Sequence, residues 1–327
     1  MSELDGIKSA SGDYYKWALE ARKKYLLMLQ QTDETIAELY IASINRIIQE
    51  FKRGKNKNLK YLLEAIAKDV DQFNEDLAKV IKSVVEDGAE NGMYFTKQVS
   101  TDVLKKAGVD IVPFIKSMEF NRKRAVQISF ARSHFARSHK DGLKLSERIW
   151  NVGQHNKKIM SDIVRAGVGE DVVTVTRSLE SYVKKGKTSI SANYPNVMKR
   201  MGSRIPANLD YNALRLARTE LTAAYGEGVI ASAKATPIVK YVKWVISSSH
   251  PRKDICDTNA TGGPNGNGIY EAMSCPIYPA HPNCICTLQP APENTTVVVD
   301  KLKAWLKNPQ SQPEIEEWYQ THYKMFE

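Results

Sequence analysis

Leu59, Leu63, Ile66, Val70, Phe73, Leu77, Val80 and Val84 recur at alternating steps of four and three. On an α-helix this alternation lays every apolar side chain along one seam for more than three heptads. Such a seam needs a nearly parallel or antiparallel neighbour. The preceding segment can supply one: Ile36, Leu39, Tyr40, Ile44, Ile47, Ile48 and Phe51 share a helical face, behind a cap expected at Thr32 or Asp33. Gly54 and the polar run Lys55-Asn56-Lys57-Asn58 separate the two segments, and Gly88 is placed to stop the second helix. An intramolecular hairpin is the simplest pairing, and a homo-oligomer through 59–84 is the alternative.

The remaining patterns are shorter. Residues 93–120 are less regular, with breaks at Gly108 and Pro113. A helix over about 143–165 turns Leu145, Ile149, Val152, Ile159 and Ile163 inward, and Asn156 holds the remaining seam position, where a buried amide can fix register. Gly167 and Gly169 end it, and residues 170–183 read as another short helix. Helical spacing returns from a cap at Asp210 and runs to Ala235, before Pro237. Residues 238–246 are β-branched and aromatic without helical spacing, which reads as a strand. Residues 247–295 are rich in Ser, Pro, Gly, Asn and Cys, the chemistry of loops with at most a short hairpin. The tail is helical around 299–307 and again after Pro313, where Ile315, Trp318, His322 and Met325 form a narrow stripe suited to docking on the body of the chain. The expected class is α+β, mainly α-helical. It comprises an N-terminal helical region (1–120), a basic helical region (121–209), a small Cys-rich β/loop module (210–295) and a helical tail (296–327).

Charge is unevenly placed. The formal net is +10, yet residues 1–110 hold 17 Lys and Arg against 18 Asp and Glu, and residues 206–327 hold 11 against 12. Residues 111–205 hold 19 against 7 and carry the whole excess. Arg122, Lys123, Arg124, Arg132, Arg137, Lys184, Lys185 and Lys187 are the candidate contacts for phosphates or an acidic protein face, with Lys184–Lys187 read as a mobile basic loop. A solvated basic surface is the plain alternative. Aromatic residues in this stretch are too scattered for a base-stacking platform, so any binding of double-stranded DNA is expected to ignore sequence. No apolar run reaches membrane-spanning length, and the first residues carry no secretory pattern, so synthesis in a cytoplasm is expected.

All four cysteines fall between positions 256 and 286. Cys256, Cys275, His281, Cys284 and Cys286 are zinc-type donors among turn-forming residues, and a tetrahedral ion bound there would staple a segment too poor in apolar residues to fold alone. Asp254 or Glu220 could orient His281. A knot of buried thiols and a disulfide in an oxidising setting are the other two states open to these residues. The glycine-rich run 261–268 lacks the strand–glycine–helix context of a nucleotide site.

One order of residues is specific. Ala217-Arg218-Thr219-Glu220 lies on a helix followed by Gly226 and Gly228, a strand carries Trp244, and the segment closes with Pro279-Ala280-His281-Pro282-Asn283-Cys284-Ile285-Cys286. This resembles the phage head-morphogenesis family, the Mu-F-like minor head proteins of tailed bacteriophages, at motif level over 214–288. Ala280 stands where the family has a second proline, Ile285 where it usually has arginine, and Asn259 where a Cys-x-x-Cys pair would end. The resemblance marks Arg218, Glu220 and Trp244 as motif residues. It implies a minor capsid component in the capsid interior or at the portal vertex, with portal, capsid or scaffolding proteins as partners. No catalytic residues are then required. The alternatives are a metal-dependent nuclease or cysteine hydrolase centred on the Cys/His cluster, and a non-specific DNA-binding protein.

Overall fold

The apolar seam is one stretch of a 49-residue helix. The structure, a computed structural model, describes residues 2–54, 58–250 and 252–327; Lys55, Asn56 and Lys57 of the polar run lie outside the described residues. In chain order the elements are α1 (Glu3–Ser11), α2 (Tyr15–Arg53), α3 (Leu59–Ala107), α4 (Val112–Ala131), α5 (His134–His139), α6 (Leu145–Ala166), α7 (Val172–Lys185), α8 (Lys187–Asn193), α9 (Pro195–Met201), α10 (Tyr211–Lys234), β1 (Tyr241–Val245), α11 (Ile255–Ala260), β2 (Ile269–Glu271), β3 (Thr287–Ala291), α12 (Thr295–Lys307) and α13 (Pro313–Trp318). The protein is thus α+β and mainly helical. None of the described helices is long and apolar enough to cross a membrane.

The chain forms two compact units that interleave in sequence, so the linear segments read above cut across them. One comprises Met1–Leu29, Ser83–Gly142 and Arg218–Glu327; the other comprises Gln30–Lys82 and Leu143–Ala217.

In the second unit, α2 and α3 pair as an intramolecular hairpin. Tyr40 meets Phe73 edge-on at 5.0 Å, and Ile36, Ile44, Ile47, Leu62, Ile66 and Leu77 are fully buried. Asp69 sits inside this seam, accepting from the Ser43 hydroxyl and from Arg46 Nε at 2.6 Å. The buried stripe on α3 is wider than a heptad seam because α6 also approaches. A methyl group at Gly153 would come 2.0 Å from Asn74 Oδ1. Asn156 occupies the expected inward position and donates to the Tyr40 hydroxyl at 2.7 Å. Three local expectations for this unit differ from the structure. No helix starts at Thr32 or Asp33, since α2 begins at Tyr15 and Thr32 is buried within it. Lys184–Lys187 is not a loop: α7 runs through Lys185, Gly186 turns the chain at φ +73°, and α8 begins at Lys187. The segment beyond it, which showed no periodicity, forms the short helices α8 and α9.

In the first unit, Gly88 does not stop α3. It lies against α10 with Gly92: a methyl at Gly92 would sit 2.0 Å from the Tyr225 carbonyl oxygen, and one at Gly228 would sit 2.1 Å from that of Ala89. These glycines let two helix backbones touch. The helix ends instead at Gly108, whose φ of +81° suits a glycine, and Pro113 stands in the first turn of α4, where its missing N–H costs nothing. The sheet has the order β2-β1-β3, antiparallel, with Tyr241 opposite both Glu271 and Ala291. Helix α1 covers it: Lys243 Nζ donates to Ser9 Oγ at 2.7 Å, and the Ser248 N–H donates to Glu3 Oε2 at 2.7 Å. The tail docks as its stripe suggests. Ile315 and Trp318 are buried, and Trp318 Nε1 donates to the Ala235 carbonyl at 2.8 Å, whereas Met325 stays exposed.

Candidate metal centre

Three short elements bring the cysteines together. Asp254 caps α11, accepting the Cys256 N–H at 2.7 Å, while Asp257 reaches back to the Asp254 N–H at 2.8 Å. This reciprocal cap fixes Cys256 in the first turn. Cys284 follows a turn in which its N–H donates to the His281 carbonyl at 3.2 Å, and Asn283 takes the left-handed conformation at φ +59°. Cys286 immediately precedes β3.

The whole loop rests on an aromatic floor. Tyr278 meets Trp244 edge-on at 5.3 Å and donates its hydroxyl to the Cys286 carbonyl at 2.7 Å. Gly226 is required beneath it, since a methyl there would come 2.4 Å from Tyr278 Cδ1. Arg22, buried and paired with Glu3 at 2.5 Å, donates to the Ile285 carbonyl at 2.9 Å.

Cys256, Cys284 and Cys286 are buried, and their sulfurs lie within 4.8 Å of one another, with Cys256 Sγ 3.5 Å from Cys284 Sγ. Tetrahedral zinc with thiolate ligands needs sulfur–sulfur edges of about 3.7 Å, close to the Cys256–Cys284 spacing, so the trio lies near the geometry of one face of such a site. All four cysteines are free thiols. Two imidazoles flank the trio. His281 Nε2 lies 3.4 Å from Cys256 Sγ and 3.3 Å from Asp254 Oδ2, and its Nδ1 lies 3.0 Å from the Pro282 carbonyl. His250 Nδ1 lies 4.0 Å from Cys286 Sγ, with Nε2 held 3.0 Å from Asp257 Oδ2 and 3.6 Å from Asp254 Oδ1.

The three thiols shift one another in opposite directions. S–H groups of Cys256 and then Cys284 hold Cys286 far below the ordinary thiol range, helped by the Ser247 backbone and by His250. The same contacts, with Cys284 first and Cys286 next, push Cys256 far above it. Contact with Cys256 draws Cys284 down, but Cys286 and burial outweigh it and leave Cys284 pushed up to about 12. Burial alone would lower His250; the Asp257 hydrogen bond, Cys286 and the neighbouring carboxylates carry it upward instead. A cation among the sulfurs would take over the role of these shared protons.

The candidates taken from sequence are placed as follows. Cys256, Cys284 and Cys286 come together, and His281 lies beside Cys256. Cys275 is not in the group; it is half-buried, its thiol pushed up to about 11 by burial and by Glu227. Of the two carboxylates considered for His281, Asp254 faces it, whereas Glu220 is buried and accepts the His134 N–H through both oxygens at 3.0 and 3.1 Å. Thr219, between Arg218 and Glu220, is the residue that holds the closing motif, accepting the Asn283 N–H at 3.2 Å. Trp244 is core. His250 was missed; its only signal was its position six residues before Cys256.

Among the basic candidates, Arg122 is held by Glu119 at 2.9 and 2.7 Å, Arg137 by Glu227, and Lys184 by Glu180 at 2.7 Å. Lys123, Arg124, Arg132 and Lys185 are exposed and Lys187 is half-buried. Arg122 to Arg137 belong to the first unit and Lys184 to Lys187 to the second. Compared with protein-family models, with curated proteins and with solved structures, the chain matches none.

Proposed function

We propose that the chain is a minor head protein of a tailed bacteriophage, a structural component that associates with the portal vertex during head assembly or genome delivery. In this reading the cysteine cluster is a structural zinc staple. The observation that carries the reading is the Thr219–Asn283 bond. The two motifs behind the family resemblance, the Ala-Arg-Thr-Glu helix and the His-Pro-Asn-Cys-Ile-Cys closure, are parts of one device in which the helix holds the loop. The residues around that device serve to hold it together. Gly226 seats Tyr278, Tyr278 holds Cys286, and Arg22 holds Ile285.

The zinc assignment rests on donor chemistry, since three buried thiols beside imidazoles suit a closed zinc site and suit oxygen-seeking cations poorly. A hydrolase built on Cys286, His250 and Asp257 would have its parts in a workable order. Cys286, however, is only 1% exposed, and an acyl substrate would have to open the knot to reach its sulfur. The structural role is therefore the better reading.

Gradient fractionation of an infected-cell lysate, with mass spectrometry of procapsid, mature-particle and soluble fractions, tests it. The chain is expected in particles at low copy number beside the portal protein. A chain confined to the soluble pool would overturn the reading.

A further inference from the structure

We infer that Cys256, Cys284, Cys286 and His250 are the four ligands of a zinc ion, and that Asp257 is the residue that positions His250. The inference rests on the staple reading above and adds its fourth ligand, one that the crowding of residues 256–286 did not indicate.

Three thiolates leave one corner of the tetrahedron open, and neither imidazole has a nitrogen within 4.8 Å of all three sulfurs. The choice between them follows from which nitrogen each has available. In His250 the carboxylate of Asp257 holds the far nitrogen, Nε2, at 3.0 Å, and this leaves Nδ1 aimed at Cys286 Sγ from 4.0 Å. A carboxylate on the far nitrogen is the usual support of a metal-bound histidine: it fixes the tautomer and raises the basicity of the ligating atom. The nitrogen–sulfur edge of a tetrahedral zinc site is about 3.5 Å, so the His250 ring must swing inward on binding: Nδ1 closes by roughly half an ångström toward Cys286 and by more than about 1 Å toward Cys256 and Cys284.

His281 is arranged the other way. Its Nδ1 faces the Pro282 carbonyl, and the nitrogen that faces Cys256 also faces Asp254 at 3.3 Å, so the carboxylate competes for the atom that would bind the metal. Exposure separates the two as well, at 9% for the His250 side chain against 34% for His281. A closed structural site is dry, and His250 is the drier ligand. A site with three thiolates and one neutral imidazole carries a net charge of −1. His281, with the Pro282 carbonyl at one nitrogen and Asp254 at the other, stands outside the ion beside Cys256.

The test uses the purified full-length chain, stripped with a chelator and titrated with zinc alone and with cobalt alone. One metal per chain is expected, with the sulfur-to-cobalt charge-transfer band and intense visible bands of a tetrahedral thiolate site. His250→Asn should weaken zinc binding at least ~100-fold, His281→Asn should stay within ~3-fold, and Asp257→Asn should fall ~10–100-fold with an unchanged cobalt spectrum, restored by Asp257→Glu. Should His250→Asn fail to fold, His250→Cys carries the test: it should keep the metal and add the charge-transfer intensity of a fourth thiolate, which His281→Cys should not. Stoichiometric binding lost in His281→Asn and kept in His250→Asn overturns the assignment, as does a wild-type chain that takes up no metal. The titration needs no virion, so absence from particles would remove the head-protein reading and leave this result standing.

Discussion

Both carboxylate oxygens of Glu220 are buried and accept the N–H at the first residue of α5. Removing the acceptor of a buried backbone N–H strands that donor in the interior. Glu220→Ala should therefore cost about 2–3 kcal/mol, read as a lower urea midpoint at unchanged slope, and Glu220→Gln should recover part of it. A midpoint equal to wild type would show that the contact contributes nothing.

Asp69 makes a different case, because its burial raises the carboxyl above the usual range despite Arg46 and Ser43. The folded state then binds its proton more tightly than the unfolded state. Stability from this group is complete below about 3.9, the unfolded value, and is lost as pH rises through the raised folded value. In Asp69→Asn that component should vanish, so the difference between wild type and variant should shift against wild type across this interval. A constant difference from pH 3 to 7 would contradict the argument.

At this scale the sequence disclosed the cysteine chemistry but not its partners. Crowding in the sequence singles out residues 256, 284 and 286. It singles out Cys275 equally, which does not join them. His250 lies outside the crowded stretch and enters only because the cap of α11 brings Asp257 to its ring.

Helices were legible wherever one face alone is buried. The seam of α3, the inward face of α6 and its buried Asn156 could all be read from spacing, because apolar periodicity directly records a one-sided environment. Boundaries were less legible, and glycine shows why. Gly88, Gly92 and Gly108 look alike in sequence, yet the first two permit contact between α3 and α10 while only the third ends the helix. Local sequence does not distinguish a glycine needed for φ from one needed for the absence of a side chain. The distinction predicts a sign. Alanine is the better helix former by about 0.5–1 kcal/mol, so Gly92→Ala would stabilise a helix in isolation. Here the added methyl meets the Tyr225 carbonyl at 2.0 Å, and forcing the helices apart should cost about 1–3 kcal/mol net. Thermal melting of Gly92→Ala would settle this: a raised midpoint means the approach of α3 to α10 is looser than described.

For the molecule as a whole, the fold class followed from sequence, whereas the interleaving of the two units did not, since no local pattern announces that residues 83–142 belong with residues 218–327. The interleaving changes how the basic middle third should be understood. Residues 111–142 hold seven Lys and Arg against two Asp and Glu, and residues 143–205 hold twelve against five, so each unit carries its own share of the excess. Several of these cations are already paired with carboxylates, which leaves exposed side chains such as Lys123, Arg124 and Arg132 in the first unit and Lys185 in the second. If the excess serves DNA, its binding is a matter of counterion release, with log K falling by about 0.9 per phosphate contact for each decade of salt. With about five contacts, affinity for a random duplex should drop roughly 10²–10³-fold between 50 and 200 mM salt, indifferent to sequence. Replacing Arg124 and Arg132 together with Gln should reduce the slope by about 2, while Arg122→Gln should change it little, because Glu119 already neutralises that guanidinium. Fluorescence anisotropy across a salt series measures both quantities. Salt-independent affinity would mean that the basic excess does not meet phosphates, and an acidic protein face would then be its partner.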